Sequence, residues 1–197
     1  MKILAVLIAC LVAGPALAAS GTDPTWPCIQ PKQPRLSLGQ VWAGPVPDQA
    51  VLSLAADPRI ADLADRLEQR RLPIEQAEKD IADFARDADA ARLTALMQAI
   101  FDRIESERSA LIAGIARYGQ KQVALAKMIE DRRSRMARLE AEENPDFDAM
   151  DAEEKALDWD QRIFTERQKS LTYVCETPVI LEQRVFALAR AIASHLP

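Results

Sequence analysis

From about Asp89 to Glu143 the chain contains no proline, and apolar residues recur through it every three or four positions. Leu93, Met97, Ile100, Ile104, Leu111, Ile115, Tyr118, Leu125, Ile129, Met136 and Leu139 mark one stripe of a helix. At 1.5 Å per residue an unbroken helix of this length reaches about 80 Å. Gly114 and Gly119 are the weak points, each costing about 1 kcal/mol against alanine. No cluster of turn residues accompanies either glycine, so a continuous or gently bent helix is expected.

So long a rod cannot bury its own stripe, and the flanking sequence supplies the neighbours. Asn144-Pro145-Asp146 stops the helix, and Asp148 or Asp151 can cap the next one. That helix is expected to run to about Val174, with Met150, Leu157, Phe164 and Leu171 seven residues apart. A seven-residue apolar repeat facing another helix across a short turn predicts an antiparallel coiled-coil hairpin. Thr177-Pro178 predicts a break, followed by a last helix striped with Leu181, Val185, Leu188, Ile192 and Leu196.

Upstream, short one-sided helices are predicted around Gln49 to Ala55, from Asp57-Pro58 to about Leu72, and from Pro73 through Ala88. Before them, Pro24, Pro27, Pro31, Pro34, Pro45 and Pro47 make residues 19–47 an extended strap through which no helix is expected. The predicted fold is therefore all-α. A compact head (48–115) carries a projecting hairpin (116–174), and a C-terminal helix (175–197) packs on the head.

The first residues carry an export signal: a positive start at Lys2, an apolar run from Ile3 to Val12, and Ala16-Leu17-Ala18, with cleavage expected after Ala18. The run is too short to span a bilayer, which takes about 20 residues, and no later apolar stretch escapes interruption by charge. Leu7-Ile8-Ala9-Cys10 resembles a lipobox, which would lipidate Cys10. The apolar core ahead of it is short, and a better small-residue site lies downstream. The reading is a periplasmic or secreted protein.

Cleavage at that site leaves Cys28 and Cys175, and an even pair in an oxidising compartment predicts a disulfide. Neither cysteine has the Cys-x-x-Cys spacing or the nearby histidine that a metal site would use. Cys175 falls at the base of the predicted hairpin, so the bond would clamp the strap across the junction with the head.

The full chain has a formal net charge of −5, and losing Lys2 makes the mature form more acidic still. This argues against nucleic acid, which requires a concentrated basic face. His195, the single histidine, lies three residues from the end and forms no dyad or metal cluster alone. Asp146, Asp148, Asp151, Glu153 and Glu154 crowd the hairpin tip without an EF-hand pattern and read as a capped, solvated helix start. Arg132, Arg133, Arg135 and Arg138 are expected to pair with acids of the facing helix between Asp151 and Asp160. No catalytic, cofactor-binding or metal-binding residues are identified.

Two tryptophans are candidates for contact with a partner: Trp159, flanked by Asp158 and Asp160, and Trp42 in the strap. The functional expectation is a non-enzymatic envelope interaction protein, an adaptor or accessory subunit without cofactor, binding a protein partner and able to self-associate through its hairpin. A holdase chaperone and a carboxylate-based wall hydrolase are the alternatives. The first needs a broad apolar face, and the second a specific carboxylate pair that nothing in the sequence selects.

Overall fold

A computed structural model describes Asp23 and residues 25–197. The expected leader, its cleavage site and Cys10 lie outside the described residues. Six helices and no strand occur among the described residues: α1 (Leu38–Val41), α2 (Gln49–Leu54), α3 (Pro58–Leu67), α4 (Ile74–Ala85), α5 (Ala90–Glu140) and α6 (Phe147–Ala193).

The long proline-free segment is one helix, continuous through both Gly114 and Gly119. Asp89 caps its start, its carboxylate accepting from the Arg92 N–H at 2.9 Å. After the turn at 141–146, Asp146 caps α6 by accepting from the Ala149 N–H at 3.0 Å. The cap is thus Asp146, not the expected Asp148 or Asp151, because Asp146 stands immediately before the first helical residue and can reach the free N–H groups of the first turn.

The 51 residues of α5 and 47 of α6 are enough for rods of about 76 and 70 Å. They lie antiparallel along one another. Arg132 meets Asp160 and Glu153 across the seam, Gln122 donates to the Phe164 carbonyl, and Arg108 meets Glu182.

The expected break at Thr177-Pro178 is absent, and α6 carries Pro178 inside it. The expected separate C-terminal helix is the second half of α6, which buries the first half of α5. An interior proline removes the bond to Val174 O and crowds that carbonyl, a cost of about 3 kcal/mol. Opposing this, Leu171 and Cys175 before the proline and Leu181, Val185, Leu188 and Ile192 after it are all buried. Each buried aliphatic side chain contributes about 1.5–3 kcal/mol, so continuity along α5 outweighs the local penalty.

The proline-rich segment departs from expectation in a smaller way. Residues 35–44 lack proline, and there the single turn of α1 forms, with the Gln40 side chain accepting from the Ser37 N–H at 2.7 Å.

The main core joins Ile60, Ala64 and Leu67 of α3, Ala77, Ile81 and Phe84 of α4, the Leu93–Ile104 face of α5 and the Leu181–Ile192 face of α6. Val41, Trp42 and Val51 close one side. Arg184 sits on this face, 7% exposed, and its Nε and Nη1 donate to the carbonyls of Leu67 and Leu72 at 2.8 and 2.9 Å. It thereby ties the end of α3 and the following turn to α6. Burial pushes the guanidinium pKa down from its usual value. Beyond Ile104, burial on α5 narrows to the seam residues Ile112, Ile115, Leu125 and Ile129.

Candidate interaction surface

Where the strap meets the long helices, four sets of contacts hold it. Cys28 is disulfide-bonded to Cys175 with their Cα atoms 5.6 Å apart, as the cysteine count predicted. Next to this bond, the backbone of Thr25 crosses Gly119 of α5. A Cβ at Gly119 would lie 2.1 Å from the Thr25 carbonyl oxygen and 3.0 Å from Pro27 Cδ. Only a residue without a side chain admits that crossing, so the second helix glycine is the seat of the strap.

The third anchor is Arg108, whose side chain is 1% exposed. Its Nε donates to Glu182 at 2.7 Å and its Nη2 to the Gln33 carbonyl of the strap at 2.7 Å. Glu105, beside Arg108 on α5, accepts from the Leu36 N–H at 3.1 Å and from the Ser109 hydroxyl at 2.7 Å. Arg108 is not among the residues that the sequence pattern singles out. The available signal was a gap in the stripe: Ile104 is followed by Leu111, and the core-facing place between them is a charged residue.

Fourth, the strap is knotted on itself. The Asp23 carboxylate accepts from the Thr25 N–H (2.9 Å), the Thr25 hydroxyl (2.6 Å) and Lys32 Nζ (2.8 Å). The Lys32 ammonium, followed by the Thr25 donors, holds the Asp23 pKa down at about 2. The Trp26 indole N–H donates to the Gln30 carbonyl at 2.6 Å, and Lys32 lies over its ring at 5.8 Å.

Toward the 141–146 turn, the seam is polar as well as apolar. Arg132 pairs with Asp160 at 2.7 Å and Glu153 at 3.2 Å, and Arg135 reaches Glu153 at 3.4 Å. Both acids are buried, at 9% and 8% exposure. The hydrogen bond to Asp160, then that to Glu153, raises the Arg132 pKa. The expected cross-seam pairing thus involves Arg132 and Arg135, whereas Arg133 pairs with Glu130 of its own helix at 3.8 Å and Arg138 stands in the last turn of α5. In the acidic tip, Asp146 is a cap and Asp151 pairs with Lys155 at 2.5 Å. No group of three or more potential metal ligands occurs among the described residues.

The two tryptophans separate. Trp159 is 61% exposed, standing away from the seam while its neighbour Asp160 turns inward. Trp42 is 8% exposed, its ring packed against Gly44 and Leu196 and its N–H donating to the Pro45 carbonyl at 2.9 Å. The expectation of Trp42 as a partner contact is corrected: burial of its ring in the core and satisfaction of its polar atom leave nothing to present. Met128 is 43% exposed, and His195 is exposed beyond the end of α6.

Two open grooves flank Leu171 on opposite sides of the α5–α6 seam. One, of about 490 Å³, runs beside the disulfide and is lined by Ile29, Gln122, Phe164 and Thr172 among others. The other, of about 500 Å³ and mostly apolar, is lined by Leu111, Gly114, Ile115, Tyr118, Ser170 and Val174, with Glu107 and Ala110. No helix among the described residues is long and apolar enough to cross a membrane. The disulfide fits an extracellular or periplasmic protein. Compared with known protein families, curated proteins and solved structures, the chain matches none.

Proposed function

We propose that this is a non-enzymatic adaptor or accessory subunit of the cell envelope, exported by its leader and holding a protein partner with the far halves of α5 and α6. In this reading those halves form a coiled-coil hairpin projecting from the helical head, and the disulfide-clamped strap fixes the hairpin's base. The observation that carries it is the distribution of burial. The main core draws on residues before about 112 and after 180. The paired helices beyond it bury a narrow seam and leave Trp159 and Phe147 exposed at 61% and 74%. An exposed tryptophan on a braced rod is the residue type that anchors interfaces.

The charge arrangement supports a binding role over a catalytic one. Glu153 and Asp160, the buried acids of this region, are engaged by Arg132 and Arg135. Ion pairs at such positions set register between helices.

A crosslinking pull-down from envelope extracts, comparing wild type with Trp159→Ala, tests the reading. Loss of one or more partners in the variant, with the far-ultraviolet spectrum unchanged, is expected. Identical partner sets for the two proteins would refute it. Self-association through the same surface would appear as a concentration-dependent mass that Trp159→Ala abolishes.

A further inference from the structure

The apolar groove between α5 and α6 carries a feature that packing leaves unaccounted for. Its floor contains Gly114, and a helix-interior glycine costs about 1 kcal/mol against alanine. Gly119 is accounted for by the strap, but a Cβ at Gly114 would meet, within 4 Å, only the Nη2 of Arg117 at 3.8 Å. The glycine therefore widens an open groove instead of admitting a neighbour. Ala110 lines the same groove, and the walls are Leu111, Ile115, Leu171 and Val174.

Charge is distributed unevenly along it. Glu107 stands at one end, 3.8 Å from Arg70. The guanidinium of Arg117 reaches back beside the groove floor at Gly114, seven residues from Glu107 and so roughly 10 Å along the axis. Helical spacing puts Lys121 on the same flank, one turn beyond Arg117. From α6, Arg167 lies one turn before the lining residues Ser170 and Leu171. None of these three cations makes an ion pair among the described residues, whereas the nearby Glu166 is paired with Lys169 at 3.1 Å.

We infer that this groove binds a single-chain anionic amphiphile, a long-chain carboxylate, with its alkyl chain along Gly114 and its head against Arg117, Lys121 and Arg167. A volume of about 500 Å³ is that of a small-molecule site and suits one chain. With glycine and alanine on its floor, the groove has room for an unbranched alkyl chain to lie flat between Leu111 and Leu171. The polarity of the groove orients the ligand: at the Glu107 end the charge is paired with Arg70, and the cations without an ion pair among the described residues gather at the other.

The test is calorimetric titration of the oxidised, full mature protein with dodecanoate below its micelle concentration, alongside decanoate and uncharged dodecanol. The expected result is saturable binding of one dodecanoate per chain, tightening about fourfold per added methylene. Gly114→Leu and, independently, Ala110→Trp fill the groove and are expected to weaken binding of both dodecanoate and dodecanol more than tenfold, with thermal stability retained. The double variant Arg117→Glu, Lys121→Glu is expected to weaken dodecanoate by a similar factor and leave dodecanol unchanged. The inference is overturned by uptake only above the micelle concentration, or by binding indifferent to both groove-filling variants. Loss of a dimer in Gly114→Leu without any dodecanoate binding by the wild type would assign the groove to a second copy. Binding to anionic vesicles but not to free dodecanoate would assign it to a membrane surface.

Discussion

Replacing Gly119 by alanine offers a test whose sign depends on the strap. In an isolated helix the change stabilises by about 1 kcal/mol, because glycine loses more backbone freedom. With the strap docked, the new Cβ would lie 2.1 Å from the Thr25 carbonyl oxygen and 2.9 Å from its carbonyl carbon. These approaches are roughly 1 Å or more inside van der Waals contact. The obstructing atoms are backbone, pinned three residues on by the Cys28–Cys175 bond. Overpacking of this kind costs about 1–3 kcal/mol.

The net expectation for Gly119→Ala in the oxidised protein is a loss of up to about 2 kcal/mol, or a fall in Tm of up to about 8 °C for a chain of this size. Cys28→Ser frees residues 25–27 to lift away, and in that background Gly119→Ala is expected to stabilise by about 1 kcal/mol. The coupling of the two changes is then about 1–3 kcal/mol in a double-mutant cycle read by urea unfolding. Gly114→Ala is the control. With only Arg117 Nη2 near its Cβ at 3.8 Å, it should stabilise both backgrounds by about 1 kcal/mol. If Gly119→Ala stabilises the oxidised protein as much as Gly114→Ala does, the strap does not cross there and the clamp is misread.

Arg108→Met should lower unfolding stability by about 3 kcal/mol, since it strips a buried donor from Glu182 and the Gln33 carbonyl and leaves two acids unpaired; amide exchange at Leu36 should accelerate, and an unchanged urea midpoint would contradict this. Pro178→Ala restores a donor toward Val174 O and should stabilise by about 2 kcal/mol after allowance for a freer unfolded chain, checked by the same urea midpoint; a loss instead would mean that the buried ring's packing matters more than the missing bond. The folded Asp23 pKa of about 2 lies below its ordinary value of 3.8. The contribution of the Asp23 knot is therefore present above pH 3.8 and lost as pH falls through about 2. Following the Thr25 amide by NMR should give a midpoint near 2, absent in Asp23→Asn; a midpoint near 4 would show that the Lys32 contact is not formed in solution.

Much of the architecture was legible because it rests on local rules. The proline-free stripe of α5, the start of α3 at Asp57-Pro58, the stop at Asn144-Pro145 and the pairing of Cys28 with Cys175 each follow from residues near in sequence or from counting. Of the candidate surface, Trp159 was legible as an aromatic off the seven-residue seam. Arg108 and Arg184 were not, because spacing marks a core position without saying which carbonyl or carboxylate waits there to receive a guanidinium. Trp42 was misplaced for the same reason: proline-rich sequence does not reveal that a ring will fold back onto Gly44 and Leu196.

The amino-acid order alone determined that the chain forms helices, where most of them begin, and that two rods must run side by side. It did so because hydrophobic period, capping and proline are decided within a turn or two of backbone. Tertiary packing decided the rest. Pro178 stays helical because buried residues on both sides of it find α5. Gly119 is a seat because Thr25, distant in sequence, crosses there. Such outcomes depend on free energy gathered from separate segments once they meet, and no single stretch of sequence contains that sum.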